Sequence, residues 1–252
     1  MKNIRIIPQL NIKGTNVVKP IHTEALRVVG RPEELAMRYY EDGADELLYL
    51  DIVASLYQRN LDFELLKSVA ENIFIPITVG GGIRNIHDIN NALRAGADKV
   101  AVNTYAIRHP EFISEAAKEF GSQCITLYVE AKLQSDGTYE AYTDGGRERS
   151  GLNVIEWIRR GIDLGAGEIL ISSVDRDGTC KGYDLGLIKQ ITAISSIPVI
   201  AHGGAGNLES IEKVIKDGGA DAVSASSIFH YGDFNIGNVK DYLSKKSINV
   251  RI

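Results

Sequence analysis

The sequence predicts an α/β fold, a single (β/α)8 or TIM barrel built from two duplicated half barrels. Three observations support this prediction. Eight short apolar runs look like buried strands, stretches with helical spacing separate most of them, and motifs recur at half the chain length. Such alternation predicts a parallel sheet covered on both faces. Eight units in about 250 residues match a closed barrel, with a doubly wound open sheet as the structural alternative.

The predicted strands and helices alternate along the chain. β-Branched apolar runs predict strands over 4–10, 46–52, 75–79, 99–103, 124–129, 168–172, 198–201 and 221–225. Apolar residues at helical spacing predict helices over 32–41, 63–70, 86–95, 110–120, 153–164, 185–194 and 208–216. The stretch 136–150 after the fifth strand is polar, and we interpret Gly145-Gly146-Arg147 within it as a flexible excursion that could act as a lid.

An internal repeat organises the whole chain. The motif at 43–48 returns at 165–170, the motif at 75–82 returns at 197–204, and the motif at 96–100 returns at 219–223. The shift is 122 or 123 residues each time. We therefore expect two half barrels, near 1–122 and 123–252, fused into one domain that spans 1–252 without a linker.

Composition and charge argue against several classes of protein. The 252 residues are 44% hydrophobic and 24% charged, which is typical of a globular chain with a large core. A formal net charge of −5 argues against nucleic acid or an anionic membrane as partner. Neither the two cysteines nor the five histidines have metal-ligand spacing, so no metal is expected. We expect a soluble cytoplasmic protein, since no apolar run approaches 18 residues.

Two glycine runs predict phosphate sites. Each run ends a strand, and the next strand ends in small polar residues. Glycine lets backbone N–H groups approach an anion, and hydroxyl or amide groups add donors. A tight turn explains either run equally well on its own. The two candidate sites are Gly81, Gly82, Asn103 and Thr104, and Gly203, Gly204, Ser226 and Ser227. A substrate with a phosphate at each end would span them.

The carboxyl ends of the strands also carry candidate catalytic groups, because (β/α)8 barrels place their chemistry there. The repeat pairs Asn11 with Glu130, and an amide cannot act as the general acid or base that a carboxylate provides. For the aspartates of this rim, turn chemistry is the alternative interpretation. The other rim candidates are Lys19, Asp51, Asp175 and Asp177.

Charged residues also occupy the opposite, N-terminal ends of four strands. They are Arg5, Glu46, Lys99 and Glu168. In a closed barrel these side chains would meet as a ring at the bottom of the core, where unpaired charges are costly. Burial alone is equally consistent with a structural salt-bridge plug. Of the histidines, His202 could contact an anion, whereas His230 is interpreted as a packed structural residue.

Motifs spread over nearly the full chain resemble the cyclase subunit of imidazole glycerol phosphate synthase. They lie at 5–8, 78–84, 96–100, 145–147, 165–170, 175–179, 203–206 and 249–251. The resemblance implies a barrel that docks a separate glutaminase on its N-terminal face and receives ammonia through its core. The ammonia would react with a bisphosphorylated ribonucleotide at the C-terminal rim. The family uses no metal or redox cofactor.

Carried over to this sequence, the resemblance assigns further roles. The four charged residues of the ring match the ammonia gate of the family. Asp98 and Gln123 match positions that contact the glutaminase, which implies a heterodimer with that partner. The two glycine-rich sites match its phosphate-binding residues.

The departures from the family lie at the catalytic positions. Asn11 and Glu130 stand where the family has two catalytic aspartates, so one carboxyl group is lost and the other is lengthened. The first loop also departs, because Pro20 follows Lys19 in the stretch Lys19-Pro20-Ile21-His22 where the family has glycine. Gln9 and His202 are further changes at or near the rim.

Three functions remain open from the sequence. The first is a divergent paralogue that delivers ammonia to another acceptor, in a setting such as amidation of a surface-polysaccharide sugar by a sugar amidotransferase. The second is a genuine cyclase, a lyase of histidine biosynthesis, in which Glu130 or a rim aspartate replaces the missing acid. The third is a non-catalytic phosphate-ligand-binding protein that activates its glutaminase.

Overall fold

A computed structural model describes residues 2–21 and 24–251, so His22 of the first loop lies outside the described residues. The strands are β1 (Arg5–Lys13), β2 (Asn16–Ile21), β3 (Glu24–Gly30), β4 (Leu47–Asp51), β5 (Ile77–Gly80), β6 (Lys99–Val102), β7 (Ile125–Leu133), β8 (Tyr139–Thr143), β9 (Glu148–Asn153), β10 (Glu168–Ser173), β11 (Val199–His202) and β12 (Ala222–Ala225). The α-helices are α1 (Pro32–Glu41), α2 (Phe63–Ala70), α3 (Ile86–Arg94), α4 (Thr104–Arg108), α5 (Glu111–Phe120), α6 (Val154–Asp163), α7 (Leu185–Thr192), α8 (Leu208–Lys216), α9 (Ser227–His230) and α10 (Ile236–Lys245).

Eight of these strands close into a parallel barrel. Their order around it is β1, β4, β5, β6, β7, β10, β11 and β12, and β12 pairs with β1 to complete the circle. Arg5 lies beside Ala222 at this closure. The predicted (β/α)8 barrel is therefore confirmed. The open-sheet alternative is wrong, because an open sheet has two unpaired edge strands and each of these eight strands is paired on both sides.

Two antiparallel hairpins extend the barrel beyond the sequence prediction. β2 and β3 follow β1, and β8 and β9 follow β7, so an equivalent hairpin occurs after the first strand of each predicted half. The polar stretch 136–150 contains β8, which is buried along its whole length, and the predicted excursion Gly145-Gly146-Arg147 lies in the turn between β8 and β9. β8 pairs with β7 on one side and with β9 on the other.

The core has two layers, as expected for a sheet whose side chains alternate between the lumen and the surrounding helices. The larger layer lies between the strands and the helices and includes Trp157 and Tyr39. The smaller layer fills the lumen, and Tyr128 and Ile52 pack against its upper edge. Its members are Ile7, Leu48, Leu50, Ala101, Leu170, Ile200 and Ala222.

Local caps explain why most helices begin close to where the sequence predicts. Asn207 caps α8 by accepting a hydrogen bond from Ser210 N, and Asn153 caps α6 in the same way. The bounds of α1, α2 and α8 agree with prediction to the residue. The short helices α4 and α9, together with α10, were not predicted.

No described helix is long and apolar enough to cross a membrane. Within residues 2–21 and 24–251, no group of three or more histidine, cysteine, aspartate or glutamate side chains is arranged to hold a metal ion.

Candidate functional site

The N-terminal end of the barrel holds the four predicted ring residues in mutual contact. Arg5 lies 2.6 Å from Glu46 and 2.7 Å from Glu168, each distance joining a guanidinium nitrogen to a carboxylate oxygen. Lys99 Nζ lies 3.0 Å from Glu46 Oε2 and 2.9 Å from Glu168 Oε2. Each glutamate therefore contacts both cations, and the four charges form a closed ring across the strand starts.

Each cation of the ring is satisfied by two carboxylates. Burial opposes the charge on Arg5, but attraction to Glu168 and Glu46 outweighs it and raises the pKa of Arg5 above its ordinary value. Asp98 and Gln123 are exposed close to the same end, where Asp98 Oδ2 accepts a hydrogen bond from Ile77 N. Their predicted contact with a glutaminase remains a prediction.

At the C-terminal end, a cavity of about 340 Å³ opens beside β4, β5, β6 and β7. Four predicted site residues of the first half line it, namely Gly81, Gly82, Asn103 and Thr104. Asp51 and Glu130 lie on the same wall. The volume falls within the range typical of small-molecule sites, so we call this space the first cradle.

Glu130 occupies a buried position between the first cradle and the barrel axis. Asn103 Nδ2 donates to its Oε2 at 2.8 Å, and Tyr128 OH donates to its Oε1 at 3.3 Å. Burial raises the pKa of Glu130 to about 7, against the opposing effect of a hydrogen bond from the backbone of Gly146. A carboxyl group with this pKa can exchange a proton near neutral pH.

Asn11 lies across the mouth from Glu130, beside a small space of about 30 Å³ that both residues line. Its Oδ1 accepts a hydrogen bond from Gln9 Nε2 at 2.8 Å. Both side chains are buried and neither titrates. The amides of Gln9 and Asn11 therefore form a neutral pair, whereas Glu130 places a carboxyl group on the opposite wall.

The other predicted rim residues fall into two groups. Asp51 is buried in the first cradle, 2.7 Å from Arg59 Nη2, and burial raises its pKa against the attraction of Arg59. Asp175 instead accepts a hydrogen bond at 2.8 Å from Leu133 N, at the end of β7. The predicted aspartates thus do not share one environment.

The second predicted phosphate site lies beside β11 and β12, and we call it the second cradle. Lys19 Nζ contacts Asp177 Oδ1 at 2.8 Å, and His202 Nε2 lies 3.7 Å from the same oxygen. Burial favours the neutral form of Asp177, but His202 and the charge of Lys19 hold the pKa of Asp177 well below its usual range. The space left beside Gly203, Gly204, Ser226 and Ser227 is about 10 Å³.

Backbone packing accounts for both glycine pairs. Gly81 and Gly204 have φ values of +97° and +96°, which L side chains rarely adopt. A Cβ on Gly81 would lie 2.2 Å from the carbonyl oxygen of Asp51, and one on Gly204 would lie 2.3 Å from that of Gly182. The tight-turn interpretation is therefore sufficient for the glycines, and phosphate binding remains a prediction.

Comparison with known proteins identifies the family. A family model described as histidine biosynthesis protein matches residues 5–235. The chain is also 56% identical over 209 residues to the imidazole glycerol phosphate synthase subunit HisF of Legionella pneumophila, an alignment that covers 83% of this chain and 99% of that relative. The chain belongs to the HisF family. It is thus a HisF-like subunit of the imidazole glycerol phosphate synthase type, as the sequence motifs predict.

Several residues of this HisF-family rim were not predicted from the sequence. Tyr128 separates the first cradle from the axial space, and its position two residues before Glu130 places both side chains on one face of β7. The sequence therefore contained a signal for Tyr128, namely its spacing of two residues from Glu130. Arg84 and Arg108 also line the first cradle, but they come from a loop and from the unpredicted helix α4.

Proposed function

We propose that this HisF-like chain is the ammonia-using synthase subunit of a glutamine amidotransferase complex. A separate glutaminase would dock on the N-terminal face near Asp98 and Gln123, forming a heterodimer. Ammonia would then pass the ring, enter the lumen and reach the C-terminal rim. The observation that carries this proposal is the closed ring of Arg5, Glu46, Lys99 and Glu168 at the entrance to the barrel.

The acceptor of the ammonia is a separate part of the proposal. Asn11 and Gln9 form a neutral pair at the position where the resemblance expects a catalytic carboxylate. Loss of a general acid or base typically lowers a rate by about 10² to 10⁴. We therefore propose a paralogue that supplies ammonia to a different acceptor, such as a surface-polysaccharide sugar handled by a sugar amidotransferase.

The second candidate is a genuine cyclase of histidine biosynthesis. Glu130 favours it, because this buried carboxyl group has a pKa of about 7 and adjoins a cavity of about 340 Å³. In that case Glu130 would perform the proton transfers alone, or with Asp51 on the same wall.

Turnover of the bisphosphorylated ribonucleotide with saturating ammonium salt separates the two candidates. The natural protein is compared with the double variant Asn11→Asp, Glu130→Asp. The paralogue proposal expects no turnover by the natural protein and restored turnover in the variant. Natural turnover within about tenfold of the variant would support the cyclase instead. The non-catalytic activator is supported if neither protein reacts, glutaminase activity rises on docking and the ammonia released reaches no acceptor.

The gate is tested in whichever of these two proteins turns the ribonucleotide over. In complex with a glutaminase, Lys99→Ala should lower glutamine-dependent turnover and leave ammonium-dependent turnover unchanged. Lys213→Ala, on the exposed face of α8, is the matched control. Equal glutamine-dependent rates for Lys99→Ala and the unsubstituted protein would show that the ring is only a structural plug.

A further inference from the structure

A small space, which we call the axial space, lies at the top of the lumen beside Asn11. It contains about 30 Å³, which is enough for about two water-sized molecules. Ile52 and Tyr128 line it, and both also pack against the upper edge of the apolar layer in the lumen. The same two residues and Glu130 line the first cradle as well. A molecule that leaves the lumen beside these residues therefore meets the axial space, with the first cradle next to it.

The walls of the axial space are rich in hydrogen-bond acceptors that are not fully used. Gln9 is only 3% exposed, and its Nε2 donates to Asn11 Oδ1, whereas its Oε1 has no hydrogen-bond partner among the described residues. Glu130 accepts from Asn103 and Tyr128, and each carboxylate oxygen keeps a further lone pair. The Tyr128 contact, at 3.3 Å, is longer than an ordinary O–H···O hydrogen bond. Because a buried acceptor without a donor is costly, the axial space favours a ligand with several donor groups.

The charges around the axial space favour a small cation. Asp177 is already paired with Lys19 at 2.8 Å, and His202 Nε2 lies 3.7 Å from the same carboxylate oxygen. Arg147 attracts Glu130 from an exposed position, where water weakens the attraction. The carboxyl group of Glu130 is buried, and its pKa of about 7 makes it mostly ionised slightly above neutral pH. A cation in the axial space would therefore meet a negative charge that has no close ionic partner.

We infer that the axial space is a binding site for one ammonium ion, held by hydrogen bonds to Gln9 Oε1 and to the carboxylate of Glu130. Ammonium has four N–H donors, whereas water has two, and its charge complements Glu130. The inference rests on the proposed function, because it places the nitrogen next to the first cradle. Ammonia leaving the lumen takes the carboxyl proton of Glu130 and becomes ammonium. The reverse transfer returns the proton to Glu130 and frees the nitrogen lone pair to attack an acceptor.

Titration with ammonium chloride at about pH 8 tests this site, with sodium chloride keeping the ionic strength constant. The side-chain amide of Asn11 lines the axial space and reports occupancy in two-dimensional NMR spectra. The natural protein should show a saturable shift that fits a single site. Gln9→Met keeps a similar volume without the acceptor and should raise the dissociation constant by about tenfold or more. Gln9→Glu should lower it by about tenfold, because a charged acceptor forms stronger hydrogen bonds.

Two controls separate the site from general effects of salt. Gln190→Met, at an exposed residue of α7, should bind ammonium like the natural protein. Potassium chloride should require a concentration about tenfold higher or more, because K⁺ donates no hydrogen bond.

Several outcomes would overturn the inference. They are a linear shift without saturation in the natural protein, equal midpoints for ammonium and potassium, or an unchanged dissociation constant in folded Gln9→Met. If Gln9→Met does not fold, Gln9→Glu decides, because equal or weaker binding by that variant would contradict the site. The titration needs neither glutaminase nor acceptor, so the ammonium site and the proposed ammonia transfer can fail independently.

Discussion

The two ends of the barrel bury charge in different ways. At the N-terminal end each charged residue of the ring contacts two partners of opposite sign, with distances between 2.6 and 3.0 Å. At the C-terminal end charges are paired one to one, as in Lys19 with Asp177 and Arg59 with Asp51, and the buried Glu130 accepts hydrogen bonds from the neutral side chains of Asn103 and Tyr128. The ring therefore distributes its charge over a network, whereas the rim concentrates it on individual groups.

This difference indicates which end of the barrel carries out the chemistry. Buried polar groups without partners and carboxyl groups with shifted pKa values are typical of functional sites. Among the described residues, Gln9 Oε1, Asn103 Oδ1 and Ser226 Oγ at the rim are buried without a hydrogen-bond partner. No atom of the four ring residues is in that position, although Thr78 Oγ1 and Thr126 Oγ1, beside Lys99 and Glu168 in the sheet, are. The ring forms an ordered entrance to the barrel, and the rim contains polar groups that can still form hydrogen bonds with a ligand.

The largest expected effect comes from the rim pair of Lys19 and Asp177. Asp177→Ala should lower the free energy of unfolding at pH 7 by about 4 kcal/mol, because it leaves the buried ammonium of Lys19 without its partner. The low pKa of Asp177 means that its carboxylate stabilises the fold above the ordinary aspartate pKa. The deficit of the variant should therefore shrink as the pH falls below about 3.9.

Urea denaturation between pH 2.5 and 7 measures this effect. Asp233→Ala, at an exposed aspartate, is the control and should stay within about 0.5 kcal/mol of the natural protein. A loss below about 1 kcal/mol in Asp177→Ala would show that the pair contributes little and would remove the contrast with the ring.

The next effect comes from the ring. Glu168→Gln should lower the free energy of unfolding by about 3 kcal/mol, the lower end of the range for breaking a buried ion pair, because Glu46 still contacts both cations. Glu111→Gln, at an exposed residue of α5, is the matched control. A larger loss in Glu168→Gln than in Asp177→Ala, measured under the same conditions, would reverse the comparison between the two ends.

The raised pKa of Glu130 gives a third effect, in which folding stability decreases rather than increases as the pH rises. Between the ordinary glutamate pKa of about 4.3 and the folded value of about 7, the unfolded chain loses this proton while the folded protein retains it. Folding stability therefore falls as the pH rises through that window, by at most about 4 kcal/mol. Glu130→Gln cannot titrate and should gain stability relative to the natural protein between pH 4 and pH 8. A constant difference across that range would contradict the raised pKa.

Much of the fold was predictable because its signals are local. Every barrel strand overlaps a predicted run, and the ring follows from charged residues at the strand starts once the barrel closes. The hairpins were not predictable, since β2 and β8 gain their stability from pairing with β1 and β7 rather than from a distinctive pattern of their own. The equivalent hairpins support the proposal that two half barrels were fused.

The rim was predicted less completely because its geometry depends on distant residues. The sequence places Lys19 and Asp177 at the same end, but their contact joins positions 158 residues apart. The unequal size of the two cradles is also a property of three-dimensional packing. Repeated motifs predict two equal sites, whereas the space is about 340 Å³ at the first site and about 10 Å³ at the second.

The smallest expected effect separates global stability from the properties of either end. Asn235 caps α10 by accepting a hydrogen bond from Asn238 N at 2.7 Å, and Asn235→Ala should lower the free energy of unfolding by about 1 kcal/mol. Asn235→Ser retains a capping oxygen and should lose less. Neither variant should change the midpoint of the ammonium titration. If Asn235→Ala altered that midpoint, ligand binding at the rim would follow overall stability, and the effects of rim substitutions could no longer be attributed to the local groups that they remove.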